Sequence, residues 1–318
     1  MHIVVTGANG FVGQQLVQNL LNTQSKLNGF TRLSLIDLHF SEYIDDSRVH
    51  YFQGDFSEIS LIDSALSHPA QIVFHLASIP GGMAEKNYDL SRKVNLDSMI
   101  YLIEKLKSQT EKARMVFAST IAVYGSDLPE IITDESVLKP NLTYAAQKLM
   151  GEILIDDFSR HGWLDGVSVR LPGIVARPPT ESGLLSLFMS NIFWLLSKGE
   201  KFRCPISSHS TAWWMSVQCC AENLIHAANL TNEQLASGNR AFTLPVLRFS
   251  LAEVANAICD QYGFNVEDLV EYDTNIELEK NFGSYPNIET SRANSLGFRH
   301  DGNLSELIQR ALTSSSNF

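Results

Sequence analysis

The sequence predicts an α/β protein built on a doubly wound parallel sheet. Over residues 1–171, short β-branched and apolar runs alternate with segments whose apolar residues recur at helical spacing. This alternation is typical of a parallel sheet that is covered by helices on both faces. The strand segments are mostly runs of apolar residues, as expected for strands buried on both sides. Right-handed crossover connections then give the doubly wound arrangement.

Six strands and four helices are predicted in this first part of the chain. The strands are expected at His2–Thr6, 33–38, Val49–Gln53, 71–76, 115–119 and 166–171, and the helices at Phe11–Leu21, 61–66, 94–107 and 144–159. The first helix shows the pattern clearly, because Val12, Leu16, Val17 and Leu20 recur three or four positions apart.

The regular alternation ends after Leu171, where Pro172, Pro178 and Pro179 interrupt a looser segment. Helices at 184–196, 217–230 and 250–262 and a strand at 241–244 are expected beyond it. We therefore expect a first domain, built on the sheet, made of residues 1–171 and 217–244. A smaller second lobe is expected to consist of residues 172–216 and 245–318.

The composition excludes two classes of partner. A formal charge of −11 argues against nucleic acid and against anionic membrane surfaces, because both require a basic footprint. The four cysteines lack CxxC spacing, so we expect free thiols and no metal site. The apolar segment 184–196 is too short to cross a bilayer, and no signal peptide fits before the first strand. A cytoplasmic protein is expected.

The first predicted strand runs directly into TGANGFVG, residues 6–13, which opens the first predicted helix. Gly7 permits a tight turn, Gly10 lets a pyrophosphate approach the backbone, and Gly13 lets helix and strand pack closely. Spaced glycines alone are a weak signal, but this strand–loop–helix context predicts a Rossmann dinucleotide site. The loop residues expected to hold the cofactor are Gly7, Asn9, Gly10, Phe11, Val12 and Gly13.

Asp37 ends the second predicted strand, at the distance expected for the acid that binds the adenosine ribose. A carboxylate there accepts hydrogen bonds from the ribose and repels a 2′-phosphate, which favours NAD over NADP. The alternative interpretation is a solvated charge at a strand end, with the glycines serving as turns.

Tyr144 and Lys148 lie four residues apart at the start of a predicted helix, and therefore on one face. A nearby ammonium favours the phenolate, which can take a proton from a substrate alcohol while hydride leaves its carbon. Thr120 and Ser119, at the end of the fifth predicted strand, are the first and second choices for a hydroxyl that holds the reacting oxygen. Either could instead cap a turn.

These segments together resemble the extended short-chain dehydrogenase/reductase family, the NAD-dependent epimerase/dehydratase group. The likeness rests on TGANGFVG (6–13), GDF (54–56), FHLAS (74–78), VNLD (94–97), STIAVYG (119–125), YAAQK (144–148) and LPG (171–173), in family order. The resemblance implies that Asp55 and Phe56 contact the adenine. It also implies nicotinamide-side positions at Leu76, Ala77, Ser78 and Pro172, with Asn95 anchoring backbone near Lys148.

Within this family, the sequence resembles members that use NAD to oxidise a small sugar acid resembling D-erythronate. The hydroxyl that these members oxidise lies next to the carboxylate. Arg177 and Asn191 are the candidates for binding such a substrate, and Thr120 and Tyr144 would hold its reacting oxygen. Thr211 and Gln218 depart from the family pattern, since an arginine and a charged residue are expected there. These departures leave the carboxylate contact open.

Two other functions stay open. One is a nucleotide-sugar 4-epimerase or dehydratase that reuses a tightly bound NAD, and the other is a catalytically silent dinucleotide-binding regulator. Intact Thr120, Tyr144 and Lys148 argue against the regulator. The resemblance also implies a homodimer formed through the helices at 94–107 and 144–159.

Overall fold

The computed structural model describes residues 1–179, 186–235 and 239–315. In chain order the elements are β1 (His2–Thr6), α1 (Phe11–Leu21), β2 (Arg32–Asp37), β3 (Val49–Gln53), α2 (Ile59–Ala65), β4 (Ile72–His75), α3 (Gly81–Lys86), α4 (Tyr88–Arg92), a π-helical turn (Lys93–Asp97), α5 (Ser98–Lys107), β5 (Arg114–Thr120), a 3₁₀ turn (Ile121–Tyr124), β6 (Ile131–Ile132), α6 (Thr143–Arg160), β7 (Asp165–Leu171), β8 (Gly173–Val175), α7 (Phe188–Leu196), β9 (Phe202–Cys204), β10 (Thr211–Ser216), α8 (Val217–Ala228), β11 (Ala241–Thr243), β12 (Leu247–Ser250), α9 (Leu251–Tyr262), α10 (Val266–Leu269), β13 (Val270–Tyr272), α11 (Ile276–Phe282), β14 (Asn287–Ile288), α12 (Ser291–Ser295) and α13 (Leu304–Ser315).

The chain divides into two compact units. Unit 1 comprises Met1–Val123, Pro140–Arg170 and Ala221–Thr243, and unit 2 comprises Tyr124–Lys139, Leu171–Cys220 and Leu244–Phe318. The sequence interpretation kept residues 124–139 with the dinucleotide-binding domain, whereas the units place Tyr124–Lys139 in unit 2. Contacts within unit 2 account for this placement, because β6 pairs with β14 and Asp134 accepts a hydrogen bond from the Arg292 backbone.

Unit 1 is built on a seven-stranded parallel sheet, which confirms the predicted fold class. The strand order is β11-β7-β5-β4-β1-β2-β3, so the direction of winding reverses between β1 and β4. In such sheets the crevice at the reversal point, beyond the carboxyl ends of the strands, is where ligands bind. The glycine loop follows β1, and the segment after β4 lies beside it.

The central strands of the sheet are buried, whereas the edge strand β3 is only partly buried. All five residues of β1 and all four of β4 are buried. On one side, α5 packs into a core with the sheet and with α2 and α6. This core includes Val4, Ile62, Val73, Met99, Leu102, Ile103, Met115, Phe117 and Ile155.

One predicted helix differs in the structure. The segment 94–107 was expected to be a continuous helix, but its first turn belongs to the π-helical turn Lys93–Asp97, which precedes α5. Single π-helical turns are frequent at functional sites because they redirect a side chain without ending the helix. Asn95 lies in the middle of this turn.

Unit 2 contains small sheets packed against α7, α9 and α13. Its largest sheet has the order β12-β10-β8, and β9 pairs with β13. The core includes Phe193, Trp214, Val254, Ile258 and Leu307. Within unit 2, the buried carboxylate of Asp301 accepts hydrogen bonds from the backbone N–H and the hydroxyl of Ser216, at the start of α8. The helix predicted at 184–196 begins at Phe188, and residues 184 and 185 lie outside the described residues.

Two sequence expectations concern the chain's environment. Among the described residues, no helix combines the length and the apolar character that crossing a membrane requires. The four cysteines are all buried thiols, as expected. Burial raises the pKa of the Cys204 thiol to about 11, and it also raises the pKa of the fully buried Cys220 thiol.

Candidate active site

The glycine loop between β1 and α1 requires glycine at two positions for steric reasons. Gly7 has φ +71°, and a Cβ atom there would lie 2.7 Å from the amide nitrogen of Ala77. A Cβ atom at Gly13 would lie 2.1 Å from the carbonyl oxygen of Gly7. A Cβ atom at Gly10 would lie 3.3 Å from the same oxygen, which is less crowded. The absence of a side chain at Gly10 is therefore better explained by the close approach of a ligand.

The loop also fits a dinucleotide electrostatically. It ends at the N-terminus of α1, whose first-turn residues Phe11, Val12 and Gly13 are not acidic. Backbone N–H groups and the positive end of the helix dipole attract a pyrophosphate at such a position. An acidic protein can therefore hold an anionic cofactor here without a basic side chain.

Asp37, at the end of β2, holds the glycine loop directly. Its Oδ2 accepts a hydrogen bond from the backbone N–H of Asn9 at 2.8 Å, and its Oδ1 accepts one from the N–H of Leu38 at 2.7 Å. Each carboxylate oxygen can accept a second hydrogen bond. Asp37 can thus bind ribose hydroxyls while fixing Asn9, a structural role that the sequence interpretation did not include.

Asp55 and Phe56 follow β3, as their sequence position indicated. Asp55 Oδ1 accepts a hydrogen bond from the backbone N–H of Ser57 at 2.8 Å. The Phe56 side chain is buried in the core of unit 1, and its ring centroid lies 5.3 Å from that of His75. Any contact of Phe56 with an adenine would therefore use the backbone.

Hydrogen bonds connect the segment after β4 to the end of β1. Leu76 N–H donates to the carbonyl oxygen of Thr6 at 3.1 Å, and Ala77 N–H donates to Thr6 Oγ1 at 3.2 Å. His75 Nδ1 lies 2.7 Å from the same hydroxyl. Burial lowers the pKa of His75 to about 3, with a smaller contribution from the charge of Lys148, so the ring is neutral. Leu76, Ala77 and Ser78 are half-buried.

Asn95 connects three parts of unit 1. Its Oδ1 accepts a hydrogen bond from the backbone N–H of Ile79 at 2.7 Å, and its Nδ2 donates to the Ile79 carbonyl oxygen at 3.1 Å. The same Nδ2 donates to Gln147 Oε1 at 2.7 Å, and Gln147 Nε2 donates to Ser91 Oγ at 3.0 Å. The backbone that Asn95 holds is therefore that of Ile79, and Gln147 links it to α6.

Tyr144 and Lys148 share one face of α6. Lys148 Nζ lies 5.6 Å from the centroid of the Tyr144 ring and 4.7 Å from that of Phe117. It donates a hydrogen bond to the carbonyl oxygen of Ala118 at 2.7 Å. Burial lowers the pKa of Lys148 to about 7, and the charge of Glu152 opposes this shift. The pair combines a half-buried phenol with a buried amine that can carry a charge.

The two hydroxyl candidates at the end of β5 have different surroundings. Ser119 Oγ donates to the buried carboxylate of Glu152. The half-buried Thr120 has its Oγ1 3.2 Å from the backbone N–H of Ala122, from which it accepts a hydrogen bond. This contact leaves the Thr120 hydroxyl proton available for a substrate oxygen. The geometry thus favours Thr120 for that role, the first choice from the sequence.

Three further candidates belong to unit 2. Pro172 is buried, and Arg177 and Asn191 are half-buried. The backbone of Arg177 is held by α7, because its N–H donates to Ser190 Oγ at 3.0 Å and its carbonyl oxygen accepts from Trp194 Nε1 at 2.8 Å. Asn191 lies on the same helix.

Thr211 stands where the family pattern has an arginine, and within unit 2 a different arginine, Arg248, lies beside it. Thr211 on β10 accepts a hydrogen bond at Oγ1 from Arg248 Nη2 at 3.2 Å, and Arg248 Nε donates to the Tyr285 carbonyl oxygen at 2.8 Å. Arg248 comes from β12, which pairs antiparallel with β10. Sequence reasoning missed it because this pairing joins positions 37 residues apart.

Glu152, Arg170 and Gln147 were also missed. For two of them the sequence carries a signal, since Arg170 interrupts an apolar strand and Glu152 follows Lys148 by one helical turn. Charged residues within buried segments are normally paired. Arg170 and Glu152 do form a buried ion pair, with Nη2 2.7 Å from Oε2.

Comparisons with known proteins agree with this geometry. The model of the NAD dependent epimerase/dehydratase family matches residues 3–206. D-erythronate dehydrogenase from Cupriavidus necator is 33% identical over 97% of both chains, and that from Haemophilus influenzae is 31% identical over 98% of both.

Solved structures show the same fold. A nucleoside-diphosphate-sugar epimerase from Agrobacterium tumefaciens matches with a TM-score of 0.91 and 30% identity, covering 100% of this chain and 95% of the other. L-threonine dehydrogenase from Clostridium difficile matches with a TM-score of 0.85 at 21% identity, covering 99% and 98%, which supports the fold alone. The predicted family, enzyme class and NAD cofactor are confirmed. The chain is a member of the NAD-dependent epimerase/dehydratase family.

Proposed function

We propose that the protein is an NAD-dependent dehydrogenase that oxidises a hydroxyl of a small sugar acid of the D-erythronate type. The observation that carries the chemistry is the buried Lys148 amine, 5.6 Å from the Tyr144 ring centroid on one face of α6. The substrate class is supported by the two D-erythronate dehydrogenases, which this chain matches along nearly its whole length.

NAD would be held by the residues around the reversal point of the sheet. The glycine loop and the N-terminus of α1 suit its pyrophosphate, and Asp37 suits the hydroxyls of its adenosine ribose. The adenine and nicotinamide positions would be bounded by Asp55, Phe56, Leu76, Ala77, Ser78 and Pro172. When bound, NAD supplies the hydride acceptor.

The protein's own residues would manage the proton of the substrate alcohol. Tyr144 accepts that proton as hydride leaves the neighbouring carbon, and Lys148 stabilises the phenolate electrostatically. Lys148 also suits hydrogen bonding to the nicotinamide ribose. Thr120 donates a hydrogen bond to the reacting oxygen, while Asn95 positions α6 through Gln147.

The substrate carboxylate requires a cation in an otherwise acidic protein. We propose Arg177 for this contact, with Asn191 as a neutral hydrogen-bonding partner. Arg248, beside Thr211, offers a second guanidinium in unit 2. Guanidinium groups suit carboxylates because they donate two parallel hydrogen bonds. Replacing Arg177 by Lys should raise the KM for the sugar acid more than the KM for NAD.

A nucleotide-sugar 4-epimerase is the second candidate, favoured by the Agrobacterium tumefaciens epimerase. Both activities would use Tyr144, Lys148 and Thr120, but they differ in stoichiometry. A dehydrogenase releases NADH in proportion to substrate, whereas an epimerase regenerates NAD in each cycle. Thr211 stands where the family pattern has an arginine, but Arg248 lies beside it and could bind a carboxylate or a pyrophosphate, so this position does not separate the two candidates.

The test is a spectrophotometric screen of four-carbon aldonic acids with NAD, run beside a set of UDP-sugars. We expect NADH to accumulate with D-erythronate or a close stereoisomer. Tyr144→Phe should lower kcat by about 10²–10⁴-fold, the usual contribution of a general base. Conversion of a UDP-sugar without net NADH, and no NADH from any hydroxy acid, would favour the epimerase. Absence of turnover in both sets would favour the silent regulator.

A homodimer is part of the proposal. The helices α5 and α6 expose apolar side chains on unit 1, with Ile100, Met150 and Ile153 exposed by 40%, 48% and 61%. Exposed apolar side chains on these two helices support association of two copies of the chain. Light scattering should give the mass of a dimer, and Ile153→Glu should shift it towards the monomer.

The domain assignment and the cellular location also remain proposals. Residues 1–171 and 217–244 would bind NAD, and residues 172–216 and 245–318 would bind substrate, a division supported by the two compact units. A cytoplasmic location is supported by the four buried thiols, which suit a reducing compartment.

A further inference from the structure

Glu152 is a buried carboxylate that the proposed chemistry does not use. It lies one turn after Lys148 on α6, and its side chain is 4% exposed. Arg170 on β7, whose side chain is 5% exposed, donates from Nε to Oε1 at 3.0 Å and from Nη2 to Oε2 at 2.7 Å. Such a bidentate pair fixes the orientation of the carboxylate.

The same carboxylate reaches the strand that carries the candidate hydroxyls. Ser119 Oγ donates to Glu152 Oε1, and Lys148 Nζ donates to the carbonyl oxygen of Ala118. Two adjacent residues of β5 are therefore bound by two residues one turn apart on α6. This double connection sets how far Lys148 and Tyr144 stand from Thr120, the next residue of β5.

The groups around Lys148 differ in how they affect its protonation. His75, on β4, is neutral because burial lowers its pKa to about 3. Tyr144 precedes Lys148 by one turn on the same helix, and β5 contributes the Phe117 ring and the Ala118 carbonyl oxygen. Arg170, on β7, is paired to Glu152. Burial favours the neutral amine, and Glu152 is the charge that opposes it.

We infer that Glu152, oriented by Arg170, is a positioning residue for hydride transfer that keeps Lys148 protonated and fastened to β5. The inference rests on the proposed role of Lys148 beside Tyr144. It also assigns Ser119 to this network, because the Ser119 hydroxyl donates to Glu152. Thr120 then remains as the hydroxyl for the substrate.

The direct test is the titration of Lys148 by NMR in the full-length protein labelled with ¹³C-lysine. The ¹³Cε signal of Lys148 is identified by its loss in Lys148→Met. We expect Glu152→Gln to lower the Lys148 pKa by about one unit or more, a tenfold change in the protonation ratio. Ser119→Ala is the matched control, because it removes one hydrogen bond and no charge, and should change this pKa by less than about 0.3 unit.

A second variant is used in case Glu152→Gln misfolds, because that substitution removes the charge that pairs with the buried Arg170. The double variant Glu152→Met with Arg170→Met replaces the ion pair by apolar side chains of similar volume, which proteins often tolerate. It should also lower the Lys148 pKa. A Lys148 pKa within about 0.3 unit of the wild-type value in every folded Glu152 variant would overturn the inference.

Kinetics provide the second measurement. In a folded Glu152 variant, kcat with D-erythronate should fall by about tenfold or more at neutral pH, with the KM for NAD changed less than about threefold. An unchanged kcat would overturn the positioning role. Absence of NADH from the wild-type protein would instead overturn the proposed function, while the titration of Lys148 would still report on Glu152.

Discussion

The Nζ of Lys148 donates a hydrogen bond to the carbonyl oxygen of Ala118 over 2.7 Å, so the amine of α6 is fastened to β5. This position is buried, and burial lowers the pKa of Lys148 to about 7. Between pH 7 and the ordinary lysine pKa of about 10.4, the unfolded chain binds more protons than the folded one. The free energy of unfolding should therefore rise with pH in this window, and the cost of burying the charge is present in full below it.

The first prediction is that Lys148→Met lowers the activity and raises the stability of the protein. We expect kcat to fall by about 10²-fold or more, and the free energy of unfolding at pH 7 to rise by about 1–3 kcal/mol, because a buried charge is removed. Urea unfolding and NADH formation measure both effects. Lys112→Met, at an exposed lysine, is the control and should alter neither. A less stable Lys148→Met protein would contradict the argument.

The second prediction concerns the glycine loop. Gly13→Ala should weaken NAD binding by about tenfold or more, because its Cβ would lie 2.1 Å from the Gly7 carbonyl oxygen and displace the loop. Gly29→Ala is the matched control, since a Cβ there would have no neighbour within 4 Å. Calorimetric titration with NAD should separate the two variants. Equal affinities would show that the loop tolerates the added atom.

The third prediction follows from the two hydrogen bonds that Asp37 accepts. Asp37→Asn keeps an acceptor oxygen but removes the charge that repels a 2′-phosphate. The ratio of the NADP Kd to the NAD Kd should fall by about tenfold, since a charged hydrogen bond contributes about 1.5–3 kcal/mol. Asp37→Ala should bind NAD more weakly than Asp37→Asn, because the N–H of Asn9 also loses its partner. Tighter binding of NADP than of NAD by the wild-type protein would overturn the role of Asp37.

The parts of the molecule that local pattern specifies were predicted well. The strand at His2–Thr6 and the helix at Phe11–Leu21 have the expected bounds, because apolar spacing and glycine chemistry lie within a few consecutive residues. The π-helical turn at Lys93–Asp97 was missed, since its apolar spacing is the same as that of a continuous helix. The two-residue strands β6 and β14 are too short to show any period.

The candidate site likewise contains some relationships that the sequence predicts and others that it does not. Tyr144 and Lys148 are neighbours through helical geometry, so their proximity followed from spacing alone. The partners of Ser119 and Asn95 depend on how β5, α6 and the π-helical turn pack, and no local pattern encodes this packing. The sequence therefore indicates Ser119 as a candidate hydroxyl without indicating that this hydroxyl donates to Glu152.

The fourth prediction is acid sensitivity caused by two buried histidines of unit 1. Burial lowers the pKa of His75 to about 3 and that of His2 to about 4, both from 6.5. The unfolded chain therefore binds more protons between pH 6.5 and these values, so the protein loses stability as the pH falls through this range. Each histidine lowers the free energy of unfolding by up to about 1.4 kcal/mol for each pH unit of this fall.

His75→Phe tests this prediction, because it keeps a ring against Phe117 and removes the titrating group. The loss of unfolding free energy between pH 6 and pH 5 should be smaller in His75→Phe than in the wild type by about 1 kcal/mol. The stability at pH 7 should fall modestly, since the hydrogen bond to Thr6 is also lost. Phe74→Leu, a substitution at a buried position of the same strand that removes no titrating group, is the control and should leave the pH dependence unchanged. If His75→Phe and the wild type lose equal stability over this interval, other groups cause the acid sensitivity.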